Sequence, residues 1–173
     1  SSACDDQSMV LDSGNADYGA YYNWYSATAG TGTYSLSSGE ASGSICPKGW
    51  RLPKSGNQSD TSATSTTGYK KGDFYKLATA YGANLESSYY QNSAVFCQNA
   101  GPGTLPNFLL AGYYYSSSFS DGGTYGAYWS SSSNSSTYAY TLTFLSSYVY
   151  SASNDIRRLG FSVRCVLQPT MQN

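Results

Sequence analysis

A chain of 173 residues, 11% charged and with a formal net charge of -1, has no basic field with which to hold nucleic acid or an anionic membrane surface. Its length fits one domain with a substantial core, and histidine, the commonest general base, is absent. Serine, glycine and asparagine surround 19 tyrosines, a composition too aromatic for disorder and suited to strands. No run of residues is apolar for long enough to make a membrane helix. Ser1-Ser2-Ala3-Cys4 has neither the basic nor the apolar stretch of a signal peptide, so the chain reads as a mature or truncated form. Four cysteines allow two disulfides in three connectivities. None forms a CxxC pair, and no histidine is present to complete a common zinc site. Bridges point to an exported protein; four buried thiols in a cytosolic protein are the alternative.

In chain order, residues 1–17 read as an N-terminal extension. Tyr18 to Tyr25 is aromatic and strand-like, and glycine- and serine-rich loops follow over 29–33 and 37–44. Trp50-Arg51-Leu52 reads as a short strand closed by Pro53, which cannot donate to a ladder. Residues 54–68 form a polar insertion. One helix is clear: Asp73 as its cap, Phe74, Leu77, Ala78 and Tyr81 on one face, and Gly82 as the stop. That face is expected to share the core with the ring of Trp50. Asn84 to Asn107 reads as irregular, and Leu105 to Tyr115 as a buried strand turning aromatic. Tyr128-Trp129 follows a glycine turn. Tyr138, Tyr140, Leu142 and Phe144 alternate with Ala139, Thr141 and Thr143, the pattern of a half-buried strand. Phe161 to Val166 is the last strand, and 168–173 a tail.

Cys46-Pro47-Lys48-Gly49-Trp50-Arg51-Leu52-Pro53, the helix Asp73-Phe74-Tyr75-Lys76-Leu77, Tyr128-Trp129-Ser130-Ser131 and Gly160-Phe161-Ser162-Val163-Arg164-Cys165-Val166 stand in one order along the chain. Together with Tyr21-Tyr22-Asn23-Trp24-Tyr25 they resemble the Fib_succ_major paralogous domain family (FISUMP) across residues 18–167. The resemblance implies a bacterial exported surface domain with a fold similar to C-type lectins and formylglycine-generating enzymes. It implies α+β architecture: loop-rich antiparallel sheets, one or two short helices, and disulfide staples. It also implies a Cys46–Cys165 bridge, which leaves Cys4 and Cys97 as the second pair.

Catalysis is not expected. Asp73, Glu86, Asp121 and Asp155 show no spacing for paired acid/base work, and no base can be named for a serine nucleophile. Calcium motifs of sugar-binding lectins are missing and acids are sparse, so no metal or other cofactor is expected. The expected role is binding of an extracellular glycan or protein ligand at the cell surface, as in adhesion, with no nucleic acid and no membrane insertion. A subunit or tip of a surface filament, or a self-associating layer, is the structural alternative. A receptor-binding face like that of retroelement-diversified lectin folds is a third reading. Tyrosine gives rigid amphipathic contact area, and serine, glycine and asparagine adaptable hydrogen bonds. The candidate surface is therefore placed in two segments read as loops, 113–125 and 145–158. Its residues are Tyr113, Tyr114, Tyr115, Phe119, Tyr125, Tyr148, Tyr150, Asn154 and Arg157. The two segments are expected to lie near each other.

Overall fold

A computed structural model of the chain describes residues 10–12, 18–33, 36, 38–56, 68–91 and 94–168. Its centre is the strand β9 (Tyr138–Phe144), flanked by β8 (Gly126–Ser133) and β10 (Val149–Ile156). Two-residue strands close the sheet: β3 (Gly39–Glu40) beside β8, and β5 (Tyr90–Gln91) beside β10. Every neighbouring pair in this five-stranded sheet is antiparallel. Such short edges offer little backbone to a foreign strand.

The central strand is buried on both faces, which corrects the half-buried reading of 138–144. From Ala139 to Phe144 every residue of β9 is buried. Alternation still sorts the side chains, because successive residues of a strand point to opposite faces. Tyr128, Leu142 and Phe144 pack with Phe74, Leu85, Phe96 and Phe108. Ala127, Trp129 and Ala139 pack with Trp24, Leu52 and Phe161. Thr141 and Thr143 are buried as well, and they reappear beneath the candidate site.

Around the sheet lie β1 (Val10–Asp12), β2 (Ala20–Tyr22), α1 (Trp24–Ala27), β4 (Trp50–Arg51), a 3-10 turn (Tyr69–Lys71), α2 (Asp73–Ala80) and α3 (Val95–Ala100). β6 (Tyr113–Tyr115), β7 (Ser118–Ser120) and β11 (Val166–Leu167) complete the set. β1 pairs with β2, so part of the expected N-terminal extension is drawn into the fold. The early aromatic segment divides in two. Asn23 accepts a hydrogen bond from the Ser26 N–H at 2.9 Å, which caps α1 and ends the strand before it. The first and last parts of the chain meet twice. The backbones of Tyr22 and Phe161 exchange hydrogen bonds, and β4 pairs with β11. The Cys46–Cys165 disulfide, with Cα atoms 5.8 Å apart, ties that second contact. The expected partner bridge is not among the described contacts: Cys97 is a free, half-buried thiol, and Cys4 lies outside the described residues.

Helix α2 ends as its sequence dictates. Gly82 has φ +94°, its N–H reaches the Thr79 carbonyl, and Ala83 N–H reaches Ala78. Its start differs from expectation. Gly72 is the cap residue, and the Asp73 carboxylate instead accepts from Arg51 Nη1 at 2.6 Å and from the Lys54 N–H at 2.7 Å. Burial pushes the Asp73 carboxyl up. The Arg51 hydrogen bond, the Lys54 N–H and the arginine charge outweigh it and hold the group below its ordinary value. Phe74 and Ala78 are buried, with Leu77 and Tyr81 packed partly against the same cluster. The ring of Trp50 does not join them: it is 46% exposed, on a ribbon opposite Leu167. Leu105 to Gly112 is not a strand. Leu105 is fully exposed, and regular pairing begins at Tyr113. Among the described residues no helix is long and apolar enough to cross a membrane.

Candidate binding cleft

The hairpin β6–β7 and the far end of β10 enclose a cleft of about 490 Å³, lined by Tyr113, Tyr115, Asp121, Tyr125, Asp155, Ile156, Leu159 and Phe161. Gly112 sets the hairpin's entry. Its φ is +69°, and a Cβ there would fall 2.2 Å from the Ser120 carbonyl, so only glycine lets the chain fold back so closely. Within the hairpin, alternation sends Tyr113 and Tyr115 to one side and Tyr114 to the other. Tyr113 meets the edges of two further rings, Tyr125 at 5.8 Å and 70°, and Phe161 at 6.2 Å and 74°. The cleft thus has aromatic walls set nearly perpendicular to one another.

Asp155 is the polar group of the floor. On β10 it stands opposite Ala139, and its carboxylate accepts from the Thr141 hydroxyl at 2.8 Å. Thr141 and Thr143 share a hydrogen bond at 3.2 Å, and Thr143 in turn bonds the Tyr125 phenol. A line of hydroxyls therefore links two residues of the cleft beneath its surface. Burial pushes the Asp155 carboxyl up, and the Thr141 hydrogen bond only partly opposes this. Burial also raises the Tyr125 phenol, helped by the negative charge of Asp155 and partly opposed by Thr143.

The structure brings together Tyr113, Tyr115 and Tyr125 of the expected surface and distributes the rest. Tyr114 and Phe119 belong to a separate aromatic group with Tyr18 and Tyr21. Tyr148 and Tyr150 form a row with Tyr89 and Tyr90, in which Tyr90 and Tyr150 stack at 4.4 Å. Asn154 neighbours Asp155 on β10 and so points to the opposite face. The segment 145–158 is mostly strand rather than loop.

Arg157 is a clear correction. It is 1% exposed, with its guanidinium 4.2 Å from the centre of the Trp24 ring. It donates to the carbonyls of Thr33, Leu36, Ser135 and Tyr138 and to the Ser133 hydroxyl. A fork of five donors suits a ring of carbonyls as well as it suits a ligand, and here the ring is internal. The residues missed were Asp121, Asp155, Ile156, Leu159 and Phe161. In sequence Asp155 is an acid without a partner; the alternation of β10, once it is a strand, places it on the face opposite Asn154.

A mostly antiparallel α+β domain with short helices, its ends tied by one described disulfide, is the class these elements define. The chain matches the family described as the Fibrobacter succinogenes major domain (Fib_succ_major) over residues 6–167 and belongs to that family. The match takes in β1. No curated protein and no solved structure matches the chain.

Proposed function

We propose that this is an exported bacterial surface domain of C-type lectin-like fold, whose aromatic cleft binds a glycan or protein ligand without catalysing a reaction. The observation that carries the reading is the cleft itself: three tyrosines and a phenylalanine around a recessed carboxyl, on a scaffold of buried strands. The disulfide supports an oxidising location. The lectin-like assignment is supported by the meeting of early and late strands across a loop-rich antiparallel sheet. Two carboxylates in one cleft invite comparison with hydrolases. However, Asp121 lies on an exposed turn, and no described hydrogen bond holds its carboxylate, whereas acid/base work needs a positioned group. Glycan and protein arrays probed with the wild type and with Tyr115→Ala test the reading. Signals that fall in the variant support it; signals indifferent to the variant overturn it.

A second reading, self-association in a filament or layer, is favoured by one observation. The partly exposed row of Tyr89, Tyr90, Tyr148 and Tyr150 lies beside the edge strand β5. Size-exclusion chromatography and negative-stain images decide it: polymers that disappear in Tyr90→Ser favour self-packing, and a monodisperse monomer removes it.

A further inference from the structure

We propose that the cleft takes a primary ammonium on an alkyl stem, the lysine side chain of a partner protein. The inference rests on the cleft being a binding site and names what enters it.

Charge comes first. The residues lining the cleft include two carboxylates, Asp121 and Asp155, and no lysine or arginine. An anionic ligand would be repelled. A cation gains from both carboxylates and from the electron-rich tyrosine rings of the wall. The protein's own chemistry already follows this rule at the rim, where the exposed Arg158 guanidinium sits 5.7 Å from the Tyr115 ring centre.

Unused acceptor capacity comes second. Asp155 accepts one described hydrogen bond, from Thr141, while a carboxylate can accept about four. Among the described residues that line the cleft with it none is positively charged, and the Arg158 guanidinium at the rim is held on Tyr115. Thr141 donates to Asp155 and bonds Thr143, Tyr113, Tyr125 and Asp121 line the cleft with it, and Tyr148 acts on the Tyr125 phenol. Burial makes ionisation of this carboxyl costly, and an incoming ammonium offsets that cost. A neutral sugar would not.

Shape separates lysine from other cations. A planar guanidinium is best held between parallel rings. Here Tyr113 meets Tyr125 and Phe161 at 70° and 74°, a corner that suits a compact ammonium with three donors. Ile156 and Leu159 add apolar wall for the methylene stem.

The test is an NMR titration of the full chain with Nα-acetyl-lysine methylamide. Four probes run beside it: the norleucine analogue, which lacks the ammonium, the arginine analogue, glucosamine and methyl glucoside. The expected result is shifts confined to the cleft, with the lysine probe binding about tenfold or more tightly than the norleucine one, as a charge-assisted hydrogen bond provides. Asp155→Asn should remove that preference with the spectrum otherwise folded. Wild-type affinity should rise with pH as Asp155 ionises, and the rise should vanish in the variant. Preference for glucosamine, methyl glucoside or arginine, or an affinity indifferent to Asp155→Asn, overturns the assignment and leaves the binding reading standing. Array signals that persist in Tyr115→Ala, with no probe shifting the cleft, overturn both.

Discussion

Asp155 and Arg157 stand two residues apart at the end of β10, and each carries a charge out of bulk water, yet their surroundings are opposite in kind. Arg157 closes every arm of its guanidinium on the protein's own oxygens and lays its face on Trp24. Among the described residues Asp155 has a single hydroxyl donor, and it lines a cleft. A buried charge whose hydrogen bonds close on the protein itself works as a strut: it binds Ser133 and Ser135 to Thr33 and Leu36. A recessed charge left under-satisfied at a concave surface retains capacity for something else. Arg157 is fully buried and Asp155 partly so, but it is the count of partners that sets their roles apart.

The largest effect that can test this contrast lies at the strut's end, where Cys46 packs against the cluster that holds Trp24. Replacing Cys46 and Cys165 by serine opens a link across 119 residues and should cost about 4–5 kcal/mol by the chain-entropy account, read as a lowered midpoint in urea. A loss under about 1 kcal/mol would mean that packing alone holds the two ends of the chain together. Next, Arg157→Ala should cost about 3–5 kcal/mol, because it strands the part-buried carbonyls and the buried Ser133 hydroxyl around the guanidinium and uncovers the Trp24 ring. A near-neutral result would make Arg157 no strut. Asp155→Asn should move stability the other way. The folded state holds this proton more tightly than the unfolded chain, so its contribution is fully present below the ordinary carboxylate range. It is lost as pH rises through the raised folded value. At neutral pH the variant should therefore melt above wild type, and the gap should close in acid; a lower melting temperature at neutral pH would make Asp155 a second strut. The smallest effect belongs to Tyr115→Ala at the rim, within about 0.5 kcal/mol of wild type in the same urea titration.

The sequence made some of this plain. The stop of α2 at Gly82 and the alternation of β9 were legible because each follows from a local rule. The Cys46–Cys165 bridge was legible through the family motifs. What stayed hidden depends on contacts between distant segments. Arg157 looks like a surface arginine until the carbonyls of residues 33 and 36 are brought to it. Trp50 looks like core because it is apolar, but on its two-stranded ribbon it stays half exposed. The segment 145–158 is so rich in serine that it reads as loop, and only pairing with β9 makes it a strand. The cleft was half visible for the same reason. Its tyrosines stand out in the composition, while its carboxyl is one acid among ten until the register places it.

The three tryptophans report on different depths of the molecule. Trp24 and Trp129 are fully buried, and their indole N–H groups donate to the carbonyls of Ser130 and Tyr22 at 2.8 and 2.7 Å. Trp50 faces solvent two positions along the paired ribbon from Cys165. Their emission should accordingly separate into a blue component that iodide cannot reach and a red one that it quenches. The red component belongs to the disulfide ribbon, so the chain carries an optical probe of that ribbon's opening, distinct from the signal of global unfolding.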